Sequence, residues 1–129
     1  MPSQYSEQNK LRARQTLESI HETLVQLIEW NKDVNSADDY YASQSGMQLL
    51  AANCTLITAI GEGINRINRI LPDYLLSEFP EVPWKAIIGM RNHIAHGYFE
   101  LDAELVFEAI RTDIPALLTT VREAVRRCS

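Results

Sequence analysis

The sequence predicts an all-α fold, an up-and-down bundle of four to five helices. Three observations lead there. Apolar residues recur at helical spacing over most of the chain. No run shows the sustained alternation of a strand. Pro, Gly and capping residues break the chain at intervals that suit short connections between helices. With 129 residues, 46% of them hydrophobic and 22% charged, the chain reads as a single domain, 1–129, able to bury a core.

The first helix is expected from about Ser6 to Lys32. Ala13, Leu17, Ile20, Leu24, Leu27 and Ile28 make its apolar stripe, and Arg12, Glu18, Glu22 and Glu29 its charged face. His21 borders the stripe and has no second ligand nearby, so it reads as structural or exposed. After a break at DVNSADDYY, Ser36 with Asp39 three residues on gives a capping-box signal. The second helix is then read as running to about Leu71, where Pro72 ends it. Tyr40, Met47, Leu50, Ala51, Cys54, Ile57, Ile64, Ile67 and Leu71 line its inner face. Gly61 and Gly63 each cost about 1 kcal/mol inside a helix, so they imply close packing of another backbone, or a bend. Further along, Asn65, Arg66, Asn68 and Arg69 form a polar cationic patch, read first as a solvated face and second as an RNA contact.

Three prolines between Pro72 and Trp84 make a connection with room for one short helical turn. Pro83 suits the first position of a third main helix, to His96, stopped by Gly97. Asp102 can cap the next helix, through Arg111. Thr112 or Asp113 can cap a last helix that tolerates Pro115 in its first turn and turns Leu117, Leu118, Val121 and Val125 inward. Alternatively, the last two helices form one kinked helix.

A net charge of −5 excludes a global basic footprint for nucleic acid, so any RNA contact has to be a local cationic pocket. Cys54 and Cys128 are far apart and read as free thiols. The N-terminus lacks the apolar core of a signal peptide, and no apolar run approaches the ~20 residues of a membrane span. The expected location is cytoplasmic, with no membrane partner.

Chemistry concentrates in RNHIAHGY, Arg91 to Tyr98, which holds His93 and His96, two of the three histidines. A side chain titrating near neutrality, a permanent cation and a phenol together suit phosphodiester chemistry. On a helix, Arg91 falls within the stripe of Trp84, Ile87, Ile88, Ala95 and Tyr98, while Asn92 and His96 share a flank. Arg91 and His96 are about 140° apart, yet both can reach one phosphate at the helix end. The C-terminal pole of the helix favours imidazolium at His96. The competing reading is structural: His96 caps carbonyls, Tyr98 packs in the core, and Arg91 pairs with Glu62 or Glu100. No phosphate loop, zinc spacing or paired-carboxylate motif is present, so no metal ligands are assigned. The natural mechanism is metal-independent. An RNA 2′-hydroxyl attacks the adjacent phosphorus, His acts as base or acid, and Arg steadies the charge on the phosphoryl oxygens.

Arg91, His96 and Tyr98 stand as R-x4-H-x-Y, and this resembles the signature of HEPN-domain toxins of the HepT type. IGEGINRI (Ile60–Ile67) resembles the family's "GEA" helix, VPWKAIIGMRNHIAHGYFELD its central block, and VFEAIRTDIPALLTTV its tail. Roughly residues 13–125 are covered. The resemblance implies an all-α homodimer, pairing through the motif helix, whose motifs face one another across a cleft. Arg91 and His96 would be the catalytic pair of an endoribonuclease, with Asn92 assisting; Glu62, read from the residues themselves as the partner of Arg91, would support them. It also implies a type VII toxin–antitoxin pairing with an MntA-like nucleotidyltransferase, in a complex that can be a larger hetero-oligomer. That partner would move AMP from ATP to the Tyr98 hydroxyl, and the chain itself would need no cofactor. The departure from the pattern is Gly63, where the family has Ala. A second reading of the resemblance is a non-catalytic HEPN partner that positions a nucleotidyltransferase and its nucleotide.

Overall fold

The computed structural model describes residues 4–94 and 102–128, with the side chains of Arg91 and His93 outside that description. Helices α1 (Glu7–Trp30), α2 (Gln44–Ile70), α3 (Tyr74–Glu78), α4 (Trp84–Ile94), α5 (Ala103–Glu108) and α6 (Ile114–Cys128) follow in order. A 3₁₀ turn, Ala37–Tyr41, precedes α2, and a π turn, Ala109–Asp113, joins α5 to α6. No strand occurs among the described residues. The predicted all-α bundle is what forms.

Helix α1 starts where the Ser6 hydroxyl accepts from the Asn9 N–H at 3.0 Å. Its stripe is buried as expected: Ala13, Leu17, Ile20, Leu24 and Leu27. The second helix differs from the sequence reading, which began it at Ser36. There, the Asp39 carboxylate accepts from the backbone N–H groups of Asn35 and Ser36, at 2.7 and 3.3 Å, and closes the separate 3₁₀ turn. Helix α2 begins afresh at Ser43, whose hydroxyl accepts from Gly46 N–H at 2.9 Å. Only glycine fits at position 46, since a Cβ there would lie 2.6 Å from the Asp39 carbonyl oxygen and 2.8 Å from that of Tyr40. Met47, expected inside, is 55% exposed, because the restart rotates the first turn of α2 away from the core.

Of the two glycines, Gly61 meets another backbone as expected, whereas Gly63, on a different side of α2, meets a side chain. A Cβ at Gly61 would stand 3.5 Å from the Ile88 carbonyl oxygen on α4. A Cβ at Gly63 would stand 3.0 Å from both Cγ1 and Cδ1 of Ile20 on α1. Ile20 thus fills the space that an Ala methyl at position 63 would take. By length and composition alone α2 is long and apolar enough to cross a membrane, although polar residues interrupt it. Its apolar side, Leu50, Cys54, Ile57, Ile60, Ile64 and Ile67, is buried in the bundle.

Helix α3 is the short turn anticipated between the prolines. Pro83 stands just before α4, and its carbonyl accepts from Ile87 N–H at 3.1 Å. The Asp102 carboxylate caps α5 through Leu105 N–H at 3.0 Å, as predicted. Thr112 and Asp113 are not caps, however. The Thr112 hydroxyl donates to the Glu108 carbonyl at 2.7 Å, one turn back inside a continuing helix. The kinked-helix alternative therefore holds. Pro115 has no N–H to donate and crowds the carbonyl four residues before it, and the widened π turn just ahead absorbs that mismatch.

A buried polar cluster that the sequence reading did not anticipate joins α1, the 3₁₀ turn and α2. The Tyr40 hydroxyl donates to Asn31 Oδ1 at 2.7 Å, and the Asn31 and Asn53 amides exchange two hydrogen bonds at 2.9 Å each. Asn31 also donates to the Leu27 carbonyl at 2.8 Å, at the end of α1. Burial pushes the Tyr40 phenol up to about 12 and the Cys54 thiol up to about 11, so both are neutral at physiological pH. Arg111 extends the same end of the bundle. It donates to the Val34 carbonyl at 2.6 Å and lies over the Phe107 ring.

Replacing Asn53 by Ala strands the Asn31 and Tyr40 polar atoms in the core. Asn53→Ala is expected to lower stability by about 2–3 kcal/mol. Urea unfolding should show this as a reduced midpoint at unchanged slope, with Thr55→Ala on the exposed side of α2 as a control within about 0.5 kcal/mol.

Candidate functional site

Helix α4 carries the first four residues of RNHIAHGY, and its seat on the bundle sets their register. The Trp84 indole N–H donates to the Phe79 carbonyl at 3.0 Å. Trp84, Ile87, Met90 and Ile94 are buried. Ile88 faces Gly61 of α2, where the missing side chain lets the two backbones approach.

The direction of α4 follows from its neighbours. Phe79 lies under the Arg127 guanidinium, 4.7 Å from its ring centre, at the C-terminal end of α6. The Tyr5 hydroxyl donates to the Pro72 carbonyl at 2.6 Å, so the start of α1 and the end of α2 share that end of the bundle. At the opposite end, α5 packs on the 3₁₀ turn. Helix α4, starting beside Phe79 and leading towards α5, therefore runs antiparallel to α2.

Opposite its buried side, α4 is open. Lys85 and Asn92 are exposed, and a Cβ on Gly89 would meet nothing within 4 Å. These three positions lie along one face, at i, i+4 and i+7. Asn92 is thus placed on a solvent-facing flank, as its sequence position implied. Glu62 is exposed on α2, beside the Gly61 contact. The side chains of Arg91 and His93, and all of Ala95, His96, Gly97, Tyr98 and Glu100, lie outside the described residues. The proposed pairing of Arg91 with Glu62 or Glu100 lies there with them.

Elsewhere, two features were not foreseen. Glu18, His21 and Glu22 of α1, with Arg122 and Val125 of α6, line an open groove of roughly 430 Å³. His21, which looked isolated in the sequence, is half-buried on its wall. At the end of α6 the Tyr74 hydroxyl is buried without a well-formed hydrogen bond, beside the weakly polar thiol of Cys128. Burial raises both groups, Tyr74 to about 12, and leaves them unreactive near neutrality. Among the described residues, no group of three or more His, Cys, Asp or Glu is placed to hold a metal ion.

Comparison with known proteins gives the family. The family described as Ribonuclease HepT-like matches residues 20–124, a span that includes α4 and all of RNHIAHGY. A Methanocaldococcus jannaschii protein named "Putative RNase MJ1380" is 31% identical over 101 residues, 78% of this chain and 85% of its own length. The "Probable ribonuclease HepT" of Thermococcus cleftensis is 26% identical over 101 residues, 78% of this chain and 84% of its own. No solved structure matches the chain.

The Gly61 contact is open to a direct check. The 3.5 Å spacing is an ordinary van der Waals distance, so Gly61→Ala should be tolerated and stabilise α2 by up to about 1 kcal/mol. Gly61→Leu should wedge α4 away from α2 and cost about 1–3 kcal/mol in a thermal melt.

Proposed function

The chain belongs to the HepT-like ribonuclease family, and on that premise we propose that it is the toxin of a type VII HepT/MntA toxin–antitoxin pair. Its activity is metal-independent endoribonucleolytic cleavage. The observation that carries this reading is the fixed register of α4. The bundle buries one side of that helix, and the motif begins on it with an exposed flank carrying Asn92.

In this reading two copies pair through the motif helix, and Arg91 and His96 of each line a shared cleft. The RNA 2′-oxygen attacks the neighbouring phosphorus, and the bond to the 5′-oxygen of the next nucleotide breaks. The products are a 2′,3′-cyclic phosphate and a 5′-hydroxyl. His96 takes the proton from the 2′-hydroxyl or delivers one to the departing oxygen, and Arg91 holds the charge that gathers on the phosphoryl oxygens. Asn92 orients the phosphate from the flank of α4. Trp84 and Ile87 of the apolar stripe are already buried within the bundle, so in this reading the pairing surface lies further along, at the motif end of the helix.

Tyr98 is the off switch in the same proposal. Its hydroxyl oxygen attacks the α-phosphorus of ATP on a partner nucleotidyltransferase, pyrophosphate leaves, and AMP remains as an ester. The added nucleotide brings negative charge and bulk beside Arg91 and His96, where substrate phosphate would sit. The setting is cytoplasmic, and the chain needs no cofactor of its own.

Purified wild type should cleave single-stranded RNA in the presence of a chelator. His96→Ala and Arg91→Ala should each lower the rate by about 10²–10⁴-fold. Tyr98→Phe should still cleave but escape inactivation by a co-expressed nucleotidyltransferase with ATP. Wild type that is no more toxic than His96→Ala and cuts no RNA would remove the ribonuclease assignment. An unmodified Tyr98 peptide after co-expression would remove the regulatory one.

A further inference from the structure

In a chain of net charge −5, solvent-facing cations without acidic partners stand out. Lys10, Arg14 and Lys32 pair with Glu7, Glu18 and Glu29, and Arg126 and Arg127 share Glu123. Arg111 is bound to the Val34 carbonyl. The side chains of Arg12, Arg66, Arg69, Lys85 and Arg122 form no ion pair or hydrogen bond among the described residues. Three of those five, Arg66, Arg69 and Lys85, lie on α2 and α4.

The packing of these two helices brings the three cations to one surface. Helices α2 and α4 run antiparallel and approach at Gly61 and Ile88. Each buries the same side of that contact: Ile57, Ile60, Ile64 and Ile67 from α2, and Trp84, Ile87, Met90 and Ile94 from α4. Their other flanks therefore border one exposed seam. At ~100° per residue, Arg69 is turned about 80° from Gly61, and Lys85 and Asn92 about 60° and 40° from Ile88, all towards that seam. Arg66 is turned about 140°, on the outer edge. Glu62 stands on the same flank, and Asp73 and Glu81 are exposed near its far end. Along α4, Lys85 precedes Asn92 by about 10 Å on the same face, and the bare Gly89 lies between them with nothing within 4 Å of its Cβ position.

We propose that this α2–α4 seam is an RNA track, in which Arg66, Arg69 and Lys85 bind backbone phosphates of nucleotides flanking the scissile bond. Gly89 leaves room for the sugar–phosphate chain to lie close to α4 on its way to the motif. The occupant is single-stranded RNA because three cations of the seam lack an acidic partner among the described residues and complement phosphate, with the exposed Asp73 and Glu81 near the far end only, and because the seam is continuous with Asn92 at the candidate site. The inference rests on the ribonuclease reading for the identity of that site. It also explains how an acidic protein can hold RNA through a local strip instead of a global basic surface.

The test is the salt dependence of binding to a mixed-sequence single-stranded oligoribonucleotide, measured with full-length His96→Ala protein so that no cleavage intervenes. Adding Arg66→Gln, Arg69→Gln and Lys85→Gln should weaken binding at least tenfold and make the log–log salt slope shallower by about 2, from three lost contacts at ~0.7 each. Arg12→Gln with Arg122→Gln, equal in kind but remote from the seam, should change neither. In the cleaving protein, the triple substitution should raise KM for the long RNA and leave cleavage of a dinucleotide unchanged. An unaltered slope and affinity in the triple variant would overturn the track. So would a change of oligomeric state in gel filtration, because the seam would then be a contact between copies of this chain. Wild type that binds with the expected slope but cuts no RNA would leave the track standing and remove the ribonuclease reading.

Discussion

The bundle depends on how closely other helices can approach α2. Two glycines one residue apart point to different neighbours: Gly61 admits the backbone of α4, and Gly63 admits the Ile20 side chain of α1. At Gly61 a Cβ would only reach ordinary contact at 3.5 Å and anything larger would push α4 away, while at Gly63 even a Cβ would crowd Ile20 at 3.0 Å; each glycine weakens the isolated helix by about 1 kcal/mol. The loss is offset by burial on both sides, where Ile60, Ile64 and Ile67 are almost wholly removed from water. Helix α2 is therefore stable mainly in company. Because α4 is seated against Gly61, the orientation of the motif-bearing helix is inherited from that sandwich rather than from the motif itself.

What the sequence revealed follows the range of the physics involved. Caps and stops act over three or four residues, so Ser6, Asp102 and the break before α3 were legible. The apolar stripe of α1 was legible too, since helical period and burial coincide there. The capping box of Ser36 and Asp39 was also legible, but it starts a separate 3₁₀ turn and not the long helix. Ser36 and Ser43 both carry start signals, and what separates them is the fit of Gly46 against the carbonyls of Asp39 and Tyr40, a contact no spacing rule contains. The cluster of Asn31, Tyr40 and Asn53 was invisible because its members come from three elements. Asn53, which is fully buried, looks in the sequence like any polar residue on a helix. Pro115 announced a disturbance, and only the structure shows that a π turn absorbs it.

At the site, residue types were more informative than positions. One peptide holding Arg, His, Asn and Tyr advertised phosphodiester chemistry. Its spacing placed Asn92 on a flank that the structure leaves exposed. The sequence could not show which of the many surface charges are already neutralised. Most α1 and α6 cations are tied to glutamates one turn away, so the formal charge understates how unevenly free cations are distributed. The Glu123 carboxyl, held down to about 2 by Arg126 and Arg127, illustrates it: one acid is shared by two cations of the basic tail of α6.

The seating of Trp84 gives the molecule an optical property. The chain has two tryptophans. Trp84 is 7% exposed with its indole bound to the Phe79 carbonyl, whereas Trp30, at the far end of α1, is 46% exposed. The first fluoresces from an apolar, hydrogen-bonded niche and the second largely from water. With Trp30 replaced by Phe, the remaining emission belongs to the helix that leads into RNHIAHGY. Its wavelength and accessibility to a collisional quencher then report on that helix alone. Loosening of the motif helix can thus be watched separately from melting of the bundle, using a chromophore the protein already contains.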